Sequence, residues 1–122
     1  MPADIRIIHA HEFIRATPEG QLDLEQTKKM LIAIASASAP SDRYDVLVDT
    51  RDAHAKMDVG DLWDLAAELH KFREALSRKT AVLVTPEQSD YAGFFAVCAQ
   101  ERGFEVSAFT HLGDAVEWLA TV

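Results

Sequence analysis

Ten consecutive residues, 49–58, gather a carboxylate, a hydroxyl, a guanidinium, an imidazole and an amine into one short stretch: Asp49, Thr50, Arg51, Asp52, His54, Lys56 and Asp58. They follow the apolar run Val46, Leu47 and Val48 and lead into a helix-forming segment, so the stretch reads as a strand-to-helix connection. In open α/β sheets ligands collect outside the carboxyl ends of the strands, and a helix N-terminus favours anions. A strand-end Asp49, the hydroxyl of Thr50, the cations Arg51 and His54 and a charged Asp58 at the helix start are therefore the candidate switch or interaction residues.

The partners that would turn this loop into a catalytic centre are missing from the sequence. Phosphorylation of a strand-end aspartate, as in receiver domains, needs an acidic pair near the first strand to hold magnesium and a lysine near the last. Here those places read Ile7, Ile8 and His9, and Phe109, Thr110 and His111. Gly60 lies inside the helix start, so no phosphate-cradling glycine loop can be drawn, and Ser89 lacks the glycines of a nucleophile elbow. His9 and His11 would share a strand face, yet no cysteine or third histidine lies near them in sequence to complete a zinc set. The single cysteine, Cys98, sits beside Phe94 and Phe95 and reads as a small buried hydrophobe. No enzyme activity, cofactor or metal is expected.

Charge narrows the partners. A net charge of −8 repels phosphate backbones and anionic lipid, which argues against nucleic acid. The densest basic group, Lys71, Arg73, Arg78 and Lys79, follows Asp58, Asp61, Asp64 and Glu68 along one expected helix, an order that complements the helix dipole. No apolar run approaches the length of a membrane span, and the first residues carry no secretory pattern, so a cytoplasmic location is expected.

The elements that must position the loop follow from periodicity. Residues 5–8 and 12–17 read as two short strands closed by Pro18, Glu19 and Gly20. Asp23 caps a first helix with Leu24, Leu31, Ile34 and Ala35 on one face, and it stops before Pro40. Residues 44–49 and 80–85 are apolar on both faces and read as central strands, whereas 104–109 alternates and reads as an edge. Asp58 caps a second helix with a stripe of Leu62, Leu65, Ala66, Leu69, Phe72 and Leu76. A third, over 89–102, is expected to bury Tyr91, Phe94, Phe95 and Cys98 and to stop at Gly103. A fourth starts after Thr110 and buries Leu112, Ala115, Val116 and Leu119. Residues 1–122 thus predict one α/β domain: a five-stranded, mostly parallel sheet with its last four strands parallel, and four helices. Leu69, Phe72, Phe94 and Phe95 are expected to fill the space between the sheet and the second and third helices, leaving no cavity.

The strand ending in Val46, Leu47, Val48 and Asp49, the loop into Met57, Asp58, Val59 and Gly60, and the ending Phe109, Thr110 followed by Ala115, Val116, Glu117, Trp118 and Leu119 resemble the SpoIIAA-like family of the STAS superfamily. The resemblance spans nearly the whole chain. It implies a SpoIIAA-like β/α superhelix, kinship with anti-sigma-factor antagonists, and a regulatory role through a protein partner. STAS antagonists carry a phosphorylatable serine at the start of the second helix; Asp58 and Val59 stand there in this chain, which leaves the serine switch in doubt. Kinship with CRAL-TRIO domains implies the alternative, a binder or carrier of a small apolar ligand such as a lipid. Trp63 and Trp118 lie off their helices' buried stripes, so they either form a surface for homodimerisation or close the margin between two helices of one molecule.

Overall fold

The computed structural model describes residues 4–10, 13–37 and 44–121, and of residues 4–10 only the strand backbone. Strands β1 (Asp4–Ala10) and β2 (Phe13–Asp23) pair antiparallel from Asp4 opposite Glu19 to Ala10 opposite Phe13. Helix α1 (Leu24–Ala37) leads to the strand β3 (Asp45–Asp49), and the short β4 (Ala53–Lys56) precedes helix α2 (Val59–Glu68). Strand β5 (Thr80–Leu83), helix α3 (Ser89–Glu101), strand β6 (Val106–Phe109) and helix α4 (Leu112–Ala120) complete the order. The main sheet runs β1-β2-β3-β5-β6, with β2, β3, β5 and β6 mutually parallel. The two strands expected at the centre are both interior, and β6 lies at an edge, as its alternation predicts.

Side-chain alternation along the strands divides the core in two. Val46 and Val48 face one way, and with Ala16, Val106 and Phe104 they pack against Ile34 of α1, Leu65 of α2 and Ala99 of α3. Leu47, Ala81 and Leu83 face the other way and pack against Ala115 and Leu119 of α4. Three helices therefore cover one face of the sheet and one covers the other.

Strand β2 departs from expectation. Pro18, Glu19 and Gly20 do not end it; the strand continues through them to Asp23. It pairs with β3 through Phe13 to Ala16 and with β4 through Gly20 to Asp23, so Pro18, which has no N–H to donate, falls where the neighbour changes. Gly20 has φ 88, a left-handed backbone that a side chain would strain, and it stands where the pairing with β4 begins. Strand β4 itself was unexpected: a polar segment with Ala53 buried and the next three residues exposed carries no two-sided apolar signal.

The helices differ from the sequence expectation at their ends and in phase. Asp23 accepts a hydrogen bond from the Gln26 N–H at 2.8 Å and caps α1 as predicted. Helix α2 stops at Glu68 and tightens into a 3-10 turn, Leu69–Phe72; Leu69 and Leu76 stay buried, and Phe72 is half-buried against the core. On α3 the inward residues are Ala96, Cys98 and Ala99, whereas Tyr91 and Phe94 are exposed. Helix α4 starts at Leu112 with His111, not Thr110, at its N-cap, and Val116 is exposed. Gly103, at φ 90, ends α3 as expected, with the Phe104 N–H donating to Ala99 O at 3.1 Å.

Leu47 is fully buried in the second core, with α4 as its cover. Leu47→Ala should lower stability by about 2–5 kcal/mol in urea unfolding with an unchanged slope. Val116→Ala, on the exposed side of the same helix, should cost less than about 0.5 kcal/mol.

Candidate functional site

Asp49 ends β3 on the Leu47 face and is buried, with 4% of its side chain exposed. Its carboxylate accepts hydrogen bonds from Arg51 Nε and Nη2, both at 2.9 Å, from the Arg51 N–H at 3.1 Å and from Arg15 Nη2 at 2.8 Å. Burial pushes this carboxyl up, and the hydrogen bonds from Arg51 and Arg15 more than reverse it, so the group stays below its ordinary range. Arg15 was not among the sequence candidates. It lies thirty-four positions away and arrives because β2 pairs beside β3 with Arg15 opposite Leu47. A carboxylate saturated by two guanidinium groups is an acceptor already in use, so its chemistry is positioning: it ties the end of β3 to β2 and to the following turn.

The other loop candidates do not converge on Asp49. Thr50 is buried and its hydroxyl donates to Leu83 O at 3.0 Å, beside a Thr50 N–H bond to the same oxygen at 2.9 Å. That hydroxyl clips β3 to β5. His54 is exposed on β4, opposite Gln21. Asp58 forms a complete capping box: it accepts the Asp61 N–H at 2.8 Å, and Asp61 accepts the Asp58 N–H at 3.1 Å. Of the candidate histidines, His11 falls outside the described residues and His9 is described only by its strand pairing, so that pair is not placed. Among the described residues, no group of three or more His, Cys, Asp and Glu side chains is arranged to hold a metal, and no helix is long and apolar enough to cross a membrane. Cys98 is buried.

The basic residues expected to finish the second helix are dispersed because α2 ends before reaching them. The Arg73 guanidinium lies 4.7 Å over the Phe104 ring, and Arg78 Nε is 3.4 Å from Asp45. Lys79 Nζ donates to Trp118 O, at 3.0 Å, and to Thr121 O, satisfying carbonyls at the end of α4. The two tryptophans sit on opposite faces of the sheet. Trp118 is half-buried against Phe109, with ring centroids 5.5 Å apart, and belongs to the α4 core. Trp63 is 51% exposed on α2, with the Arg102 guanidinium 4.5 Å over its ring. They cannot form one surface.

Between the sheet and helices α1, α2 and α3 lies an apolar cavity of about 110 Å³. Leu69 and Phe95 line it as the sequence suggested for such a space, but Phe72 and Phe94 do not, and the expectation that these four side chains would fill it is overturned. The reason is the size of what faces inward. Ala53 and Ala55 of β4 and Ala92 of α3 line the cavity, and Ala96 and Ala99 continue the inward face of α3 with methyl groups where aromatic rings were expected.

These features define an α/β domain with one antiparallel edge strand, five parallel strands counting the short β4, and helices divided three to one across the sheet. Solved structures share this arrangement over almost the whole chain. An uncharacterized protein of the DUF3478 family with a SpoIIAA-like fold from Shewanella loihica is 20% identical, with a TM-score of 0.64 over 98% of this chain and 94% of that one. An anti-sigma factor antagonist from Mycobacterium paratuberculosis is 15% identical, with a TM-score of 0.65 over 98% and 95%. The anti-sigma factor antagonist SpoIIAA in its unphosphorylated form is 13% identical, with a TM-score of 0.57 over 98% and 100%. No protein-family model matches the chain, and no curated protein matches it in sequence. The chain has the SpoIIAA-like fold, and the resemblance read from its residues holds at that level.

Two expectations follow from the loop. Asp49→Asn should destabilise by about 1–3 kcal/mol, discounted for the partial exposure of both arginines. Because the folded carboxyl is depressed, the wild-type advantage is fully present above the unfolded range near about pH 4 and is lost as pH falls through the folded value. Urea midpoints of the two proteins should therefore differ at neutral pH and converge in acid. Asp58→Ala should cost about 0.5–2 kcal/mol and Asp58→Ser much less, measured in the same melts.

Proposed function

We propose that this chain is a non-enzymatic regulatory domain that acts by contact with a protein partner through the outer face of α2 and α3. The observation that carries this reading is the apolar surface there: Val59 and Trp63 one turn apart on α2, and Tyr91, Phe94 and Val97 at successive three-residue steps on α3, all exposed. These two helices pack side by side. Exposed aromatic residues supply large contact area with few rotatable bonds, and interfaces are enriched in them. Asp58, Asp61 and Asp64 flank this face, which suits a partner with a basic rim. The fold shared with anti-sigma factor antagonists supports the same reading. The Thr50 hydroxyl is buried and bonded to Leu83 O, which speaks against phosphorylation at Thr50, and Asp58 serves the helix start as its cap.

A photo-crosslinking residue placed at position 63 or 94 should trap a discrete heterologous partner in cells, and one at position 116, on the opposite face, should not. With the partner purified, Trp63→Ala should weaken binding by about thirtyfold, corresponding to about 2 kcal/mol at a hot spot, while the melting temperature changes little. Equal trapping from position 116, or a product of only twice the chain mass, would defeat the reading.

A second reading, a binder of a small apolar molecule, is favoured by one specific observation. The cavity of about 110 Å³ beneath α2 and α3 has almost entirely apolar walls, the kind of space that takes up small apolar molecules.

A further inference from the structure

We propose that the cavity is the socket for one aliphatic side chain, leucine, isoleucine or methionine, which the protein partner carries between lysine or arginine residues. The proposal rests on the first reading above, in which a partner covers the outer face of α2 and α3, and adds what that partner must present.

The socket opens at one end of that face. Val82 lies in an interior strand beneath the helices and lines the space, yet it is only half-buried, so the space reaches from the sheet to solvent. Ala55 of β4 and Tyr91 of α3 are the lining residues that are exposed, which places the mouth between β4 and the start of α3. Tyr91 is also the first of the exposed row Tyr91, Phe94 and Val97, and Met57, another lining residue, stands two positions before the exposed Val59. A partner seated on both helices therefore passes over the opening.

Size and wall chemistry name the side chain. Truncating one buried leucine in another protein leaves a space of ~150 Å³, and this one is about 110 Å³. It is a space for one aliphatic side chain. The walls do not close it from within, because Ala53, Ala55 and Ala92 present only methyl groups from backbone held by strand pairing and by α3. The hydroxyls of Thr27 and Thr50 are spent on Asp23 O and Leu83 O, and that of Thr80 is closed off from the space, so the occupant needs no polar atom.

Charge at the rim favours a protein side chain over a free molecule. Asp58 and Asp61 stand at the start of α2, and Glu87 and Asp90 at the start of α3, against Lys56 of β4. Basic residues beside the anchor meet these carboxylates, whereas a small apolar molecule gains nothing from them. An apolar anchor in a pocket with complementary charge around it is how a few residues come to carry most of an interface's affinity.

The test pans a displayed library of short random peptides against the protein, then measures the selected peptides on three variants. Ala92→Leu and Ala55→Leu fill the socket from two different elements and should melt at or above the wild-type temperature, and Trp63→Ala leaves the socket open. The expected peptides share one leucine, isoleucine or methionine between lysine or arginine residues and lose about tenfold or more in affinity on either filling variant. Peptides that bind both filling variants within about twofold of wild type but lose affinity for Trp63→Ala overturn the socket and leave the outer-face reading standing. Peptides indifferent to all three variants count against both. If no peptide is selected, the socket is overturned, and n-hexane shifting the Val82 methyl resonances would then give the space to the small-molecule reading.

Discussion

Both faces of β3 must be dry, and the rest of the architecture answers to that constraint. Every residue from Asp45 to Asp49 is buried, so a strand with side chains on two sides needs cover on two sides. Helices α1, α2 and α3 supply it for Val46 and Val48, and α4 supplies it for Leu47. The carboxylates at the strand's two ends are the polar cost of this burial. Asp45 is met by the Lys79 N–H at 3.1 Å and by Arg78, and Asp49 by Arg15 and Arg51. A buried carboxylate without such donors would be strongly destabilising, so these arginines are structural before they can be anything else.

The same constraint separates two regions available for function. The α4 side is closed by Trp118 and Phe109 with Lys79 tying down the last helical carbonyls, and its aromatic surface is consumed internally. The other side carries both the exposed apolar residues of α2 and α3 and, under the same helices, the cavity. Leu62 and Leu65 of α2 line the cavity from within, and Val59 and Trp63 of the same helix face outward. Helix α2 is also short, ending at Glu68 before its stripe is complete. A helix of ten residues is held by tertiary packing and its cap more than by its own propensity.

Legibility followed the range of the interaction that decides each feature. The caps at Asp23 and Asp58, the stop at Gly103 and the centrality of β3 and β5 were readable, because each is set by neighbours within a few residues or by an unbroken apolar run. The inward phase of α3 was legible only in part: Cys98 is buried and Phe95 packs against the core, as expected, but Tyr91 and Phe94 do not. Tyr91, Phe94 and Phe95 weigh more than alanine in any hydrophobic pattern, yet the helix turns its alanines to the sheet and leaves Tyr91 and Phe94 in solvent. Strand β4 was missed because its only driving force is pairing with the far half of β2, a partner about thirty residues away. The arginine at position 15 carried no signal toward Asp49 until the β2–β3 register was fixed.

The sequence by itself determined the class: alternating strands and helices, mostly parallel pairing, an acidic surface, capped helices and a buried Cys98, all consequences of local periodicity and composition. Tertiary structure alone decided how the candidate residues are used. It committed Asp49 to two arginines, turned the Thr50 hydroxyl onto Leu83, put the tryptophans on opposite faces, opened a cavity above β5, and left the Thr80 hydroxyl unpaired. The physical reason is that hydrogen-bond satisfaction and empty volume belong to the packed assembly of several elements. No stretch of chain encodes what will stand opposite it until strand register and helix phase are set together.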